Sequence, residues 1–278
     1  LQGHGRLALV GGAVRDALLH QRHGAPWTGL PDLDLVLEGS CTDLAQGLQR
    51  RIGTERVTSL QLHERYGTAE LKLDGVWIDL AGARQEHYPA PGENPIVQPG
   101  SLEADLWRRD FTVNAMAWVL QGDGSEQLLD PHGGLNHLAS RQLVLLHDAS
   151  IADDPTRVIR GARYGARLGF DLDLGSLQQL QATLERWPWG WRHGDALDGV
   201  PPALGTRLRM ELDLLLEREP WPQALTLLHN WSALPLLDPL LQRQVHLTRR
   251  LRRAARLQLP LLSALIAAAG DSVALAQR

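Results

Sequence analysis

The sequence predicts an α+β fold, in which a first part built from strands and helices precedes a part that is almost entirely helical. Short β-type runs alternate with amphipathic segments up to about residue 150. Strand signals nearly vanish after Asp153, where capped helical patterns take over. We therefore expect one domain over residues 1–150 and helical domains over 151–218 and 219–278. A chain of 278 residues has room for this division.

The first part begins with a strand and a helix that are joined by a glycine turn. The predicted elements there are strands over residues 6–10, 32–37, 68–73 and 76–80, and helices over 13–19 and 42–51. Asp74-Gly75 is a strong hairpin signal between the last two strands. A loop rich in Pro and Gly is predicted over 88–100, and the apolar residues 110–120 fit a helix or a strand by periodicity alone.

The second part is predicted to consist of helices. They are expected over residues 156–168, 177–187, 203–217 and 221–229, with two or more after Pro239. Pro155 suits a first helical turn, and Asp153 or Asp154 suits the N-cap before it. The run Trp187-Pro188-Trp189-Gly190-Trp191 could stack nucleobases, but packing between helices is the interpretation we favour.

Asp32 and Asp34 are the first candidate site residues. Two carboxylates at i and i+2 on a strand point to the same face, as the oxygen ligands of a hard divalent cation must. Upstream, Gly11-Gly12 would let backbone N–H groups approach a phosphate at a helix N-terminus. A metal site facing a triphosphate site indicates nucleotidyl transfer. Asp79 is a candidate third carboxylate for that chemistry, although an ordinary strand-end Asp fits nearly as well.

Two further motifs carry paired charges. In the segment from Arg108 to Ala115, the two arginines could neutralise phosphate oxygens, and Asp110 and Asn114 could bind ribose; a capped helix start is the alternative. In the segment from Asp153 to Arg160, a continuous helix would place both aspartates on the same face as Arg157. That carboxylate and guanidinium edge could pair with a nucleobase, or could be a surface ion pair.

The C-terminal region contains a basic helical run in which Arg249, Arg250 and Arg253 are candidate RNA-binding residues. A solvated helix face is an equally good interpretation. The net charge of −4 argues against a uniformly basic surface but does not exclude nucleic acid, since local charge decides.

Composition restricts the cellular context. No apolar run is long enough to span a bilayer, and no signal peptide pattern opens the chain. The single cysteine, Cys41, suits a reducing compartment and the start of a helix better than a nucleophile's role. We therefore expect a cytoplasmic protein with no membrane partner. The missing initiator Met suggests that the chain is a fragment or has been trimmed.

Three motifs in this order resemble the bacterial class II tRNA nucleotidyltransferase and poly(A) polymerase family. They are Gly11-Gly12-Ala13-Val14-Arg15-Asp16 with Asp32-Leu33-Asp34, then Arg108 to Ala115, then Asp154 to Arg160 running into Arg167-Leu168-Gly169-Phe170. Minor matches are Arg84 with Glu86, Asp130-Pro131 with Gly133-Gly134, and Arg207 with Glu211. The resemblance covers residues 6–217, and the ordered set is far more specific than any single motif.

The resemblance implies a polymerase-β-like head, a helical neck that reads the incoming nucleotide, and a helical body that holds tRNA. Asp32 and Asp34 would bind Mg²⁺. Triphosphate or ribose contacts are implied for Gly11, Gly12, Arg15, Asp16, Arg109, Asp110 and Asn114. Asp154 and Arg157 would select CTP or ATP, with Arg160 in the same motif and Asp153 where the family usually has Glu. The chain after Glu217 is short for a complete body and tail, which suggests a truncated or reduced RNA-holding part.

The expected activity is addition of C or A to the 3′ end of tRNA from CTP and ATP. CC-adding and A-adding enzymes and poly(A) polymerase share these motifs and stay open as alternatives. A catalytically silent RNA-binding module is the alternative from another class, and a metal-dependent nucleotide hydrolase is a weaker one.

Overall fold

The computed structural model describes residues 5–27, 29, 33–63 and 66–278, and these form two compact units. The first unit contains the described residues up to His87 together with Val97–Ser140. The second contains Tyr88–Ile96 and Arg141–Arg278. The finer division into a head, a neck and a body stays a prediction.

The first unit is built on a mixed sheet. Its strands are β1 Leu7–Val10, β2 Leu33–Leu37, β3 Val57–His63, β4 Thr68–Leu73, β5 Val76–Gly82, β8 Ala117–Leu120 and β9 Glu126–Leu129, with the short pair β6 Arg84–His87 and β7 Ile96–Pro99 beside them. Within the described residues the strand order is β3-β4-β5-β2-β1-β8-β9. β2 and β5 run parallel, and every other neighbouring pair is antiparallel. The predicted α+β class is confirmed.

In the described part of the first unit, the α-helices beside this sheet are α1 Gly12–His23, α2 Cys41–Ile52, α3 Leu102–Trp107 and α4 Gly134–Ala139. Helix α2 covers one face of β3, β4 and β5, where Leu71, Ile78 and Leu80 are buried. Cys41 opens α2 as a buried residue, and burial raises the pKa of its thiol to about 11. The structure thus confirms the helix-start role of this cysteine, because a thiol held protonated is a poor nucleophile.

The predicted hairpin is confirmed. Two other parts of the first unit differ from the sequence analysis: one strand was not predicted, and one ambiguous segment is neither of the two elements considered. Asp74 and Gly75 both have positive φ, at 49° and 87°, which is the backbone of a tight two-residue hairpin turn. Strand β3 was not predicted, because its sequence lacks a strict apolar alternation. The ambiguous segment 110–120 is neither one helix nor one strand: a 3₁₀ turn over Thr112–Asn114 precedes β8.

The second unit is helical apart from the short parallel pair β10 Gln142–Leu143 and β11 Asp171–Leu172. Its helices are α5 Ser150–Asp153, α6 Thr156–Leu168, α7 Leu174–Arg186, α8 Thr206–Arg218, α9 Trp221–Asn230, α10 Leu247–Arg256, α11 Leu261–Ile266 and α12 Ser272–Gln277. One apolar core runs from Ile151 to Leu275 and includes Trp189 and Trp191, so the packing interpretation of these tryptophans is confirmed. Within the described part of the chain, no helix is both long enough and apolar enough to cross a membrane.

Candidate active site

Asp34 and Asp79 meet on the open face of the sheet in the first unit. The parallel register of β2 and β5 pairs Asp34 directly with Asp79. Register partners on adjacent strands lie about 5 Å apart and point to the same face. Both residues are exposed, whereas their neighbours Ile78 and Leu80 face the buried side under α2. The strand pairing therefore places the two predicted carboxylates side by side.

Gly11 brings the turn after β1 against this pair. A Cβ atom at Gly11 would lie 3.5 Å from Oδ2 of Asp34 and 3.2 Å from Nη1 of Arg109. The φ of Gly11 is +70°, a left-handed conformation that glycine adopts without strain. Gly12 then begins α1, whose first N–H groups have no partners inside the helix. A guanidinium, a helix N-terminus and a carboxylate thus converge at one backbone turn.

Arg109 is held in place by Asp105, a residue that the sequence analysis did not select. Nη2 of Arg109 donates to Oδ2 of Asp105 at 2.8 Å, and Arg108 donates to Oδ1 of the same carboxylate at 2.7 Å. Burial of Asp105 by itself raises the pKa, but the charges of Arg109 and Arg108 outweigh it and leave the pKa below its usual value. The carboxylate therefore stays ionised and fixes both arginines. The i, i+3 and i, i+4 spacing from Asp105 to the two arginines just after α3 was the signal that would have identified it.

A second network, beneath the turn, joins four of the predicted nucleotide-binding residues. Arg15 is 3% exposed and donates to Oδ1 of Asn114 at 2.6 Å. Asn114 in turn donates to Oδ1 of Asp110 at 3.0 Å. Arg15 also donates to Asp16, at 2.8 Å. The structure brings Arg15, Asp16, Asp110 and Asn114 together, but as a largely buried network that supports α1 and the 3₁₀ turn.

The acidic pair has the donor chemistry of a divalent cation site. Carboxylate oxygens on one face are the ligands that Mg²⁺ prefers, and it typically keeps one or two of them beside substrate phosphates. Asp32, the other predicted ligand, lies outside the described residues. Within those residues, no group of three or more His, Cys, Asp or Glu side chains converges to hold a metal ion.

In the second unit, Asp154 has an extended backbone between two helices, with φ of −142° and ψ of 91°. Pro155 explains this, because a residue before proline is excluded from the helical region. Oδ1 of Asp154 accepts from the N–H of Thr156 at 3.1 Å and from its hydroxyl at 2.6 Å. Oδ2 accepts from Nη2 of Arg207 on α8. Asp154 is buried, and Thr156 and Arg207 donate hydrogen bonds to its carboxylate.

Arg157 lies in the first turn of α6 and is 3% exposed. Its Nη1 donates to the backbone oxygen of Ser150 at 3.3 Å and lies 3.3 Å from Nε2 of His147. Burial, and then the charge of Arg157, lower the pKa of His147 to about 4, against an opposing effect of Asp148. His147 is thus neutral near pH 7, and its Nε2 can accept from the guanidinium. No sequence signal pointed to His147.

The prediction that Asp153 and Arg157 share a face of one helix was wrong. Asp153 ends α5, and the extended Asp154 and Pro155 separate it from α6. Its backbone oxygen instead accepts from the N–H of Gly92, at 3.2 Å. Arg160 lies three residues after Arg157 on α6, where it is partly exposed.

The predicted basic helix is observed as α10. Leu247, Leu251 and Ala254 are buried against the core, so the helix turns its arginines outward. His246 and the five arginines Arg249, Arg250, Arg252, Arg253 and Arg256 line one surface groove. All five are exposed, and no salt bridge to a carboxylate is found for them in the described part of the chain.

Comparison with known proteins agrees with this fold. The model of the poly(A) polymerase head domain matches residues 7–144. The chain is 43% identical over 245 residues to a CC-adding tRNA nucleotidyltransferase of Deinococcus radiodurans, covering 84% of this chain and 58% of that protein. It is 41% identical over 179 residues to an A-adding tRNA nucleotidyltransferase of Aquifex aeolicus, covering 64% and 20%.

A solved structure extends the likeness to both units. It is a tRNA nucleotidyltransferase in complex with a primer tRNA and an incoming ATP analogue, with a TM-score of 0.68 and 28% identity, covering 94% of this chain and 71% of that one. The fold is that of a polymerase-β-like nucleotidyltransferase head with helices after it. Over residues 7–144 the chain belongs to the poly(A) polymerase head-domain family. It spans little more than half the length of the Deinococcus relative.

Proposed function

We propose that the chain adds C, A or both to the 3′ end of tRNA, using CTP and ATP and releasing pyrophosphate. The observation that carries the proposal is the in-register pair of Asp34 and Asp79 beside the turn at Gly11. The relatives' names and the tRNA-bound structure support this choice of substrates.

In the proposed reaction, the 3′-hydroxyl oxygen of the RNA forms a bond to the α-phosphorus of the nucleotide. The bond between the α-phosphorus and the bridging oxygen breaks, pyrophosphate leaves with the electron pair, and the hydroxyl proton passes to solvent. Arg109 would bind phosphate oxygens at the turn, where Gly11 lets the chain come close. Arg15, Asp16, Asp110 and Asn114 would hold that turn in shape, since their hydrogen bonds are mostly internal.

The metal we propose is Mg²⁺, held by Asp32 and Asp34, with Asp79 as the third catalytic carboxylate. When bound, it would lower the pKa of the attacking hydroxyl and offset charge on the phosphates. The exposed, adjacent carboxylates Asp34 and Asp79 fit a hard cation. The protein would contribute mainly position and fixed charge, as is usual for phosphoryl and nucleotidyl transfer.

We further propose that Asp154 and Arg157 read the base of the incoming nucleotide, with Arg160 and Asp153 in the same segment. A carboxylate accepts from an exocyclic amine, which cytosine and adenine share, and a guanidinium donates to ring N or carbonyl O. Arg207 and His147 hold the two reading side chains by hydrogen bonds. Arg249, Arg250 and Arg253 would contact the RNA backbone, because their charges are exposed and unpaired with carboxylates in the described chain.

Three tRNA transcripts test the proposal: one lacking the CCA tail, one ending in C and one ending in CC. Completion of all three with CTP, ATP and Mg²⁺ would establish a CCA-adding enzyme. Stopping at CC, as the Deinococcus relative's name suggests, or extending only the CC transcript by A, would establish a partial-tail enzyme. A long A tail on unrelated RNA would show poly(A) polymerase activity. Failure to incorporate either nucleotide into any transcript would contradict the proposal.

A further inference from the structure

The open face of the sheet extends well beyond the acidic pair. The register continues from Asp34 and Asp79 to Glu70 on β4 and Gln61 on β3, and all four residues are exposed. Helix α2 packs on the other face of these strands. An exposed row of polar side chains therefore crosses three strands beyond Asp34.

The turn at Gly11 fixes the direction from which an acceptor would approach. Arg109 and the start of α1 adjoin Asp34 on its β1 side, so the proposed leaving pyrophosphate lies on that side. In phosphoryl transfer, the attacking and leaving oxygens are roughly in line with the phosphorus. The attacking hydroxyl then approaches from the opposite side, over β5, β4 and β3.

Trp77 and Lys72 lie on this approach. They are register partners on β5 and β4, each two residues from the acidic row, and so on the same face as Asp79 and Glu70. Trp77 is 42% exposed, and Nζ of Lys72 lies 5.4 Å from the centroid of its ring. Lys72 is the single lysine of the chain. A single exposed apolar side chain is common on protein surfaces. An indole paired with a cation beside the proposed catalytic carboxylate Asp79 suits a nucleotide, because the ring can stack on the base and the cation can bind the phosphate.

We propose that Trp77 stacks against the base of the 3′-terminal nucleotide of the acceptor RNA, and that Lys72 binds a phosphate of the same strand. This inference rests on the proposed nucleotidyl transfer and names the surface that holds its acceptor. Stacking on an aromatic ring tolerates any base, which suits an acceptor whose last nucleotide changes as the tail grows. The cation supplies affinity for the backbone without selecting a sequence.

The test is steady-state kinetics on a tRNA acceptor and on the same acceptor made abasic at its last nucleotide. Trp77→Leu removes the aromatic ring, and Trp77→Phe restores a smaller one. The matched control is Trp118→Leu, a half-buried tryptophan on β8 of the same sheet, on the face opposite to Asp34. Circular dichroism and thermal unfolding verify that each variant is folded.

For Trp77→Leu we expect KM for the intact acceptor to rise about fivefold to a hundredfold, as loss of one base–aromatic stack does, with KM for the nucleotide unchanged. Trp77→Phe should show a smaller rise in KM for the intact acceptor, and Trp118→Leu should leave this KM unchanged. On the abasic acceptor, wild type and Trp77→Leu should be equal. Lys72→Gln should lower the slope of log KM against log salt concentration by about 0.7.

An unchanged acceptor KM in folded Trp77→Leu, with an active wild type, would overturn the inference and leave the proposed function intact. A loss of equal size on intact and abasic acceptors would overturn it as well, since no base would then be stacked. An inactive wild type would instead overturn the proposed function on which the inference rests.

Discussion

Asp34 on β2 and Asp79 on β5 are direct register partners, and this pairing brings together two carboxylates from separate motifs. One lies in a pattern that is conspicuous in the sequence, and the other in the middle of β5, the second strand of a hairpin. Their adjacency depends on β2 and β5 being neighbours and parallel. The consequences for activity can be tested at either residue.

Replacement of Asp79 by Asn should reduce kcat by on the order of a hundredfold or more, because it removes a carboxylate proposed to hold the metal that activates the attacking hydroxyl. Nucleotide binding should persist, since Gly11 and Arg109 are untouched. The measurement is single-turnover incorporation beside equilibrium binding of CTP and ATP. Asp74→Asn, in the turn of the same hairpin, is the control and should keep full activity. Equal loss in both variants would show that the hairpin, and not the carboxylate, matters.

Replacement of Asn114 by Ala should destabilise the first unit by about 2 kcal/mol, because the buried guanidinium of Arg15 loses a charge-assisted hydrogen bond. Urea unfolding of the purified chain measures this change. Ser125→Ala, in an exposed turn, is the control. A change in nucleotide affinity with no change in stability would instead indicate that Asn114 binds the substrate directly.

Arg207→Gln should reduce discrimination between CTP or ATP and UTP or GTP about tenfold. The change removes a charged donor from Oδ2 of Asp154, and such hydrogen bonds typically contribute about 1.5–3 kcal/mol. Incorporation of all four nucleotides into one acceptor measures the ratio. The control is Arg209→Gln, two residues later on α8, where the residue is partly exposed. Unchanged selectivity in Arg207→Gln would show that Arg207 does not contribute to selection of the nucleotide base.

The stability of the second unit should depend on pH through His147. Its pKa is about 4 in the folded chain, below the ordinary histidine value of about 6.5, so the unfolded chain binds the proton more readily. The associated stability is complete above about pH 6.5 and is lost as the pH falls towards 4. The melting temperature of wild type should therefore fall more between pH 7 and 5 than that of His147→Gln. His87→Gln, at an exposed histidine, should show the same fall in melting temperature as wild type. An equal fall in wild type, His147→Gln and His87→Gln would contradict a role of His147 in the pH dependence of stability.

Charge on α10 should set the salt dependence of RNA binding. Changing Arg249, Arg250 and Arg253 to Gln should reduce the slope of log affinity against log salt concentration by about 2, if each binds one phosphate of a single strand. The control changes Arg22, Arg50 and Arg51 to Gln, three exposed arginines of the first unit. An equal effect of both triples would show general charge rather than a binding site on α10.

The sequence was sufficient for the local features of the fold. Alternating side chains and the Asp74-Gly75 turn predicted β4 and β5, and the helices of the second unit followed from their apolar spacing. Strand β3 was missed because Thr58, Ser59 and Gln61 dilute its pattern, and only pairing with β4 completes it. The helix break at Asp154 follows from Pro155, and α6 covers the predicted residues 156–168. Only the face proposed for Asp153 and Arg157 assumed a continuous helix.

The candidate site residues were selected from the sequence, but their arrangement was not predicted. Asp34, Gly11 and Arg109 were selected from separate motifs, and the structure places them around one turn. Arg15 and Asn114 were expected to bind substrate, yet the guanidinium of Arg15 donates to Oδ1 of Asn114, which lies 99 residues later in the sequence. His147 carries no local signal, because its role comes from burial beside Arg157. Contacts between distant segments are set by tertiary packing, which local spacing does not encode.

The central claim is that the carboxylate at Asp34 supports nucleotidyl transfer to RNA. The most direct measurement counts labelled nucleotide joined to a tRNA transcript and pyrophosphate released, for wild type and Asp34→Asn. We predict equal amounts of both products from wild type, and essentially neither from a folded Asp34→Asn that still binds the transcript. Incorporation by Asp34→Asn at the wild-type rate would contradict the account.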